Sequence, residues 1–344
     1  MNPRTVLADV GGTNVRLALS PAPGRVERIE RFKVAEYPDL VAVLDEYLAR
    51  LDAAAGDGAR AELRLAIGAA GPVVDGRVVL TNAEWVLERD AIAERCGAAA
   101  LLLNDLQAVA YALPHLDDAE LWPLGAQTRA GGAQAEDRGL RLLAINLGTG
   151  LGAATAVFDG RRWLSVPSEA GHMSLALPGA LGSELGAELE SLTEGYPPSI
   201  ESLLSGPGLR VLYRCAWRRV AGAPAPSEWP QPEAILAPCD PGDPGDSPHA
   251  RARAHTLDWL SLLLGQVCGD LVLSTAAWGG VYLCGSVARS WHALADPVAF
   301  RRHFEAKGAM QERMRGVFSA VIANPDVALL GLSHAAFAAS DPGA

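Results

Sequence analysis

The sequence predicts an α/β protein of two domains flanking a cleft, each built on the same strand–strand–strand–helix unit. Three observations carry this. The apolar run Thr5-Val6-Leu7-Ala8 ends in Asp9-Val-Gly-Gly-Thr-Asn14, and the similar run Leu142–Ile145 ends in Asn146-Leu-Gly-Thr-Gly-Leu-Gly152. Each glycine turn is followed by a second strand-like stretch and then a third. The chain has 344 residues, enough for two domains with separate cores.

Taken in order, Asn14–Leu19 alternates as a strand paired back onto Thr5–Ala8, and Val26–Val34 supplies a third. Leu40, Leu44, Tyr47, Leu48 and Leu51 recur at helical spacing behind Pro38-Asp39. Leu63–Ala69 reads as a buried strand, Arg77–Leu80 as a short edge strand, and Ala99–Leu103 as a strand ending at Asn104-Asp105. A helix over Leu106–Leu113 stops at Pro114. The second copy repeats strand, glycine turn, strand, the Asp159-Gly160 turn and a strand to Val166. Helical periodicity returns over Glu184–Leu192, Ile200–Leu204 and Leu209–Val220. Gly222–Pro248 is dense in Pro, Gly and Asp and reads as an exposed excursion. A long helix from about Ala250 to Ala277 leads into the strand Gly280–Cys284, and Gly331–Ala339 forms a last helix that crosses back onto the first domain.

Composition narrows the function. Apolar residues make up 49% and charged residues 20%, which fits a soluble globular chain. A formal charge of −11 disfavours nucleic acid and anionic membranes as partners. The five cysteines form no CxxC pair, which argues against a disulfide framework or zinc ribbon. The Leu257–Ala277 stretch is the nearest to a membrane span, but Asp258, Gln266 and Asp270 interrupt it. With no secretory leader in its first residues, the chain is expected in the cytoplasm.

Glycine turns bring backbone N–H groups close to an anion, so two of them can grip a triphosphate from both sides of a cleft. Gly148-Thr-Gly150-Leu-Gly-Ala153 also matches a dinucleotide fingerprint, but only Ala154–Phe158 separates it from the next turn, too short for the helix that fingerprint requires. No G-x-x-x-x-G-K-[ST] occurs. Asp9 is placed to orient a magnesium ion through water. Asn104-Asp105 is in isolation an N-cap pair. In a cleft, Asp105 can take the proton of an attacking hydroxyl while Asn104 fixes the acceptor. Glu169 and His172 can hydrogen-bond a polyhydroxylated ligand or serve the fold. Glu201 can do the same or stabilise a helix start. Gly285, in the Gly279–Ser286 turn, suits a close-approaching adenosine or a plain strand–helix link. Arg210, Arg214 and Arg218, four residues apart, are read as a solvated helix face.

In this order the motifs identify the chain as similar to the bacterial glucokinases of the hexokinase/actin-like ATPase superfamily. The resemblance spans Asp9–Leu19, Thr81-Asn82-Ala-Glu-Trp85, Asn104-Asp105, Gly148–Gly152, Glu169-Ala-Gly-His172, Glu201, Leu204–Gly208 and Asn324-Pro. Ala8, Ala170, Ser174 and Ser286 depart from the family pattern without removing a catalytic group.

The resemblance implies a duplicated ribonuclease H-like (actin/hexokinase-type) fold, with a small domain of residues 1–110 completed by 327–344 and a large domain of 111–326. It implies ATP-dependent phosphorylation of glucose with Mg2+, with Asp105 as base and Asn82, Asn104, Asp105, Glu169, His172 and Glu201 around the sugar. ATP falls on Ala8, Asp9, Val10, Gly11, Gly12, Thr13, Gly148, Thr149, Gly150 and Gly285, and a homodimer is implied. The alternatives are a kinase of mannose, fructose or an amino sugar, and a catalytically weak sugar-sensing paralogue.

Overall fold

A computed structural model of the chain describes residues 4–55, 62–80, 84–130, 135–136, 139–193, 196–220, 224–238 and 245–339. The first unit runs β1 (Arg4–Val10), β2 (Asn14–Ala22), β3 (Arg25–Lys33), α1 (Leu40–Ala55), β4 (Leu63–Ala69), β5 (Arg77–Val79), β6 (Val86–Glu88), α2 (Arg89–Cys96) and β7 (Ala98–Asn104). Its sheet has the order β3-β2-β1-β4-β7, with an antiparallel β1–β2–β3 meander and parallel β1, β4 and β7. The parallel strands are covered on both faces, which is why β1 and β4 read as unbroken apolar runs. The edge strand β3 carries charges along its length, which discourages pairing with another chain.

Helix α3 (Asp105–Ala112) and the short strand β8 (Leu121–Pro123) lead to the second unit, β9 (Leu142–Leu147), β10 (Leu151–Phe158) and β11 (Trp163–Ser168). There follow α4 (Gly179–Thr193), α5 (Gly206–Val220), the single turn α6 (Pro232–Ile235) and α7 (Pro248–Thr275). The unit closes with β12 (Gly280–Cys284), α8 (Ser286–His292), α9 (Pro297–Glu305), α10 (Gln311–Arg315), β13 (Ser319–Ile322) and α11 (Val327–Ala338). The second sheet, β11-β10-β9-β12-β13-β8, repeats the first strand for strand, with β8 added at its edge.

Each unit sends its last helix across to the other. Helix α3 leaves β7 and packs on β9, β10 and β11, whereas α11 leaves β13 and packs on β1 and β4. The two helices meet at Gly331, where any Cβ would overlap the Ala108 carbonyl oxygen. Leu7, Ala66, Leu106, Ala144, Ala154 and Leu332 share the core around this crossing. A second core joins α1 to the far face of the first sheet through Leu17, Leu44, Tyr47 and Ile67. A third joins the second sheet to its long helices through Ile145, Leu212, Leu264 and Trp291.

The short edge strand expected at Arg77–Leu80 is present as β5, paired with β6 in a separate two-stranded ribbon. Other expectations need correction. Ile200–Leu204 is a turn rather than a helix, because Glu201 is pulled sideways: its N–H donates to Gly171 O at 2.9 Å and its carboxylate accepts from Leu151 N–H at 2.8 Å. Ser205 accepts from Gly208 N–H at 3.0 Å and starts α5 afresh. Residues 224–238 of the excursion are mostly exposed, as expected, and are pinned to the protein. Trp229 packs edge-on against Tyr213 and Trp217, and Arg253 donates to Ile235 O at 2.8 Å. Pro248 ends the excursion by opening α7 behind the Ser247 cap. Of the three arginines read as solvated, only Arg218 is exposed, and Arg214 lies over the Trp229 ring at 5.8 Å. Helix α7 is long and apolar enough to cross a bilayer, but most of its apolar stretch is buried against the protein.

Candidate active site

The site begins with strand register. Val10, Ala69 and Asn104 are successive partners across β1, β4 and β7, so the carboxyl ends of these strands form one row. Open α/β sheets bind ligands along such an edge. From it emerge the turn Gly11-Gly12-Thr13, the segment after Ala69, and Asn104-Asp105. Ala8 and Val10 are buried within β1, while Gly11 and Gly12 are half-buried and Thr13 is exposed.

Asp9 is buried one residue inside the strand end, and its cross-strand partner Arg16 takes Oδ2 in an ion pair. Burial pushes the Asp9 carboxyl above its ordinary value, and Arg16 opposes that shift. Asn104 caps α3: its Oδ1 accepts from Leu106 N–H at 2.9 Å and its Nδ2 donates to Gly71 O at 3.0 Å. The cap reading is therefore correct, and the Asn104 side chain also hydrogen-bonds the Asp105 carboxyl, which opposes the rise in its pKa. Asp105 Oδ1 also accepts from Leu106 N–H, at 2.9 Å. Burial, then the nearby Asp9 charge, push its carboxyl up to about 7. That value suits a general base at neutral pH.

The second sheet presents a matching edge. Asn146 and Cys284 are register partners on parallel β9 and β12, so the Gly148–Gly150 turn and Gly285 leave the sheet side by side. Gly148 N–H donates to Gly150 O at 3.0 Å, and Gly148 O accepts from Gly206 N–H at 2.8 Å, which fixes the turn against α5. Thr149 at its tip is exposed. Gly285 has φ +98°, and a Cβ there would overlap Leu147 O, so no other residue fits without moving the turn. Glu201 props the turn from behind through Leu151 N–H. Glu169 and His172 flank it, 4.0 Å apart and both exposed.

Helix α3 brings the two edges together. Leu106 lies 3.3 Å from where a Gly152 Cβ would stand, and Gln107 Nε2 donates to Ser165 O at 3.3 Å. Asp105 thus opens beside the second glycine turn while rooted at the end of the first sheet. Asn104, Asp105, Glu169, His172 and Glu201 all belong to this neighbourhood, whereas Asn82 falls outside the described residues.

Among the described residues no cluster of three or more His, Cys, Asp or Glu could cage a metal. Magnesium needs no such cage, since it keeps several waters and takes one or two carboxylates plus phosphate oxygens. Asp9, with no described protein donor on Oδ1, fits that demand. A cavity of about 640 Å³ lies elsewhere, lined by Gly24, Val26, His115, Asp117, Glu120 and Asp326 among others. Its carboxylates are spent on caps and ion pairs.

The sequence model of the family described as Glucokinase matches residues 6–339. The chain belongs to the glucokinase family. The glucokinase of Chromobacterium violaceum is 37% identical over 95% of this chain and 88% of its own length. That of Nitrobacter hamburgensis is 32% identical over 96% of both chains. A crystal structure of a glucokinase from an Antarctic psychrotroph superposes with a TM-score of 0.80 at 26% identity, covering 98% of this chain and 100% of that one. The twin sheets are accordingly the duplicated, actin/hexokinase-type fold of a glucokinase.

Sequence reasoning missed two residues that hold Asp9 in place. Arg16 was read only as part of a strand, and Asp326, which Arg16 Nη1 reaches at 2.8 Å, was not singled out. Placing Arg16 opposite Asp9 in the hairpin register was the available signal. Nothing local pointed to Asp326, 310 residues away.

Proposed function

We propose that the chain transfers the γ-phosphoryl group of ATP to the 6-hydroxyl of glucose, with Asp105 as the base. The observation that carries this is Asp105 at the start of α3, with a carboxyl raised to about 7, beside a second glycine turn supplied by the other sheet. In this reading Asp105 takes the hydroxyl proton as oxygen attacks phosphorus, and Asn104 holds the neighbouring hydroxyl. Glu169, His172 and Glu201 bind the remaining hydroxyls, and Asn82 joins them. The Gly11–Thr13 and Gly148–Gly150 turns offer the phosphates the N–H groups of Gly12, Thr13, Thr149 and Gly150, since those of Gly11 and Gly148 close the turns, and Gly285 lets the adenosine approach. Magnesium held at Asp9 would neutralise charge on the phosphate oxygens, which supplies most of the rate in phosphoryl transfer.

Residues 1–110 with 327–344 would move as one domain and 111–326 as the other, closing over the sugar to exclude water. A cytoplasmic homodimer completes the reading and rests on the resemblance.

The test is a coupled assay with Mg·ATP and glucose. Asp105→Asn is expected to lower kcat by about a hundred- to ten-thousandfold, and equal turnover in both proteins would remove Asp105 from its role. Running the same assay over mannose, fructose and glucosamine places glucose first by kcat/KM if the assignment holds.

A further inference from the structure

Resting on that reading of Asp9, we propose that Asp326 is a positioning residue for the metal–phosphate end of the site, acting through Arg16. The argument starts from β-strand alternation. Leu7 and Ala18 face α11 in the crossing core, so Asp9 and Arg16, two positions along their strands, point to the same side. Arg31 is the next cross-strand partner of Arg16 on β3. The face thus carries a ladder of charges that meets the start of α11 at Asp326.

The guanidinium of Arg16 is divided between two tasks. Its Nη1 donates to Pro325 O at 2.7 Å and to Asp326 Oδ1 at 2.8 Å, while Nη2 pairs with Asp9. One nitrogen is clamped so that the other is aimed. Asp326 is itself fixed: Arg31 Nη2 reaches both of its oxygens at 3.2 Å, and its own N–H donates to Asn324 Oδ1 at 2.9 Å. Asn324 Nδ2 in turn donates to Glu120 Oε1 at 2.9 Å, beside the edge strand β8 of the second sheet. A continuous chain of polar contacts therefore runs from the second sheet's edge to the carboxylate behind the first glycine turn. An arginine lacking the Asp326 anchor regains its rotamers, and the orientation of the Asp9 carboxylate is no longer fixed from behind.

Isothermal titration of the full-length enzyme with Mg·ADP in the absence of glucose provides the test. Asp326→Asn is expected to weaken Mg·ADP binding about three- to thirtyfold, the range for coupled charges in one network. Asp326→Glu should restore most of the loss. Repeating the titration with ADP and EDTA separates positioning from general damage, because a residue acting through Asp9 matters only when the metal is present. In the assay, KM for Mg·ATP should rise while KM for glucose stays within about twofold. Arg16→Lys, which keeps the charge but cannot span both carboxylates, should match Asp326→Asn and serves if that variant fails to fold. Wild-type affinity in Asp326→Asn or Arg16→Lys, or an equal loss with and without metal, would overturn the inference. Asp9→Asn separates the two readings: weak binding there with normal binding in Asp326→Asn sinks only the inference, and normal binding in both sinks the role of Asp9 as well.

Discussion

Asp105, the proposed base, is set against the fold that holds it. Its folded-state value of about 7 lies far above the ordinary 3.8, so the folded protein binds the proton more tightly than the unfolded chain does. The sign follows: the contribution of Asp105 to stability is whole below about pH 4 and is lost as pH rises through 7. At pH 8 Asp105→Asn should therefore melt at a higher temperature than the wild type, and the difference should vanish near pH 4. Calorimetry at both pH values checks this. Catalysis runs the other way, because only the ionised form accepts a proton. A log plot of kcat/KM against pH should fall with unit slope below about pH 7, and a flat profile between pH 5 and 8 would remove Asp105 as the titrating base.

The helices that cross between the sheets depend on a single missing side chain. Gly331 lets α11 approach α3 until only backbone separates it from Ala108. Gly331→Ala must push the helices apart or distort one of them, an overpacking cost of about 1–3 kcal/mol. The expected result is a melting temperature lower by several degrees in thermal denaturation, with Gly331→Ser at least as harmful. What could be read in advance follows the same logic of local against distant cause. Leu63–Ala69 and Gly280–Cys284 were legible to the residue, because strands buried on both faces are unbroken apolar runs bounded by turns. Asp39 as the start of α1 was legible too, and it accepts from Ala42 N–H at 2.9 Å. Ile200–Leu204 misled, because Ile200, Leu203 and Leu204 are buried by a turn whose shape comes from Leu151 and Gly171, far away in sequence. The catalytic neighbourhood was visible as separate motifs. The Arg16–Asp326 tether was not, since its halves meet only once the last strand is in place.

The molecule also carries a pH liability at the outer end of the helix crossing. His334 on α11 stacks on His115, ring centroids 3.7 Å apart, and burial followed by the His115 charge pulls its pKa down to about 4. A histidine depressed from 6.5 keeps its stabilising contribution above that value and loses it as pH falls toward 4. Across pH 6.5 to 4 the wild type should therefore lose melting temperature relative to His334→Gln, in which that contribution is absent. An unchanged slope in the variant would place the acid sensitivity elsewhere.

The return of α11 onto the first sheet bears on how the chain is made. Leu7 and Ala18 leave the ribosome long before the Leu329 and Leu332 that cover them are joined. At roughly 5–20 residues per second, a nascent chain waits from about a quarter of a minute to a minute with that face of the sheet bare. During that interval an oily surface stands open to other polypeptides, so production of intact protein should respond to holdase chaperones and slower translation near the start more than the finished enzyme's robustness would suggest.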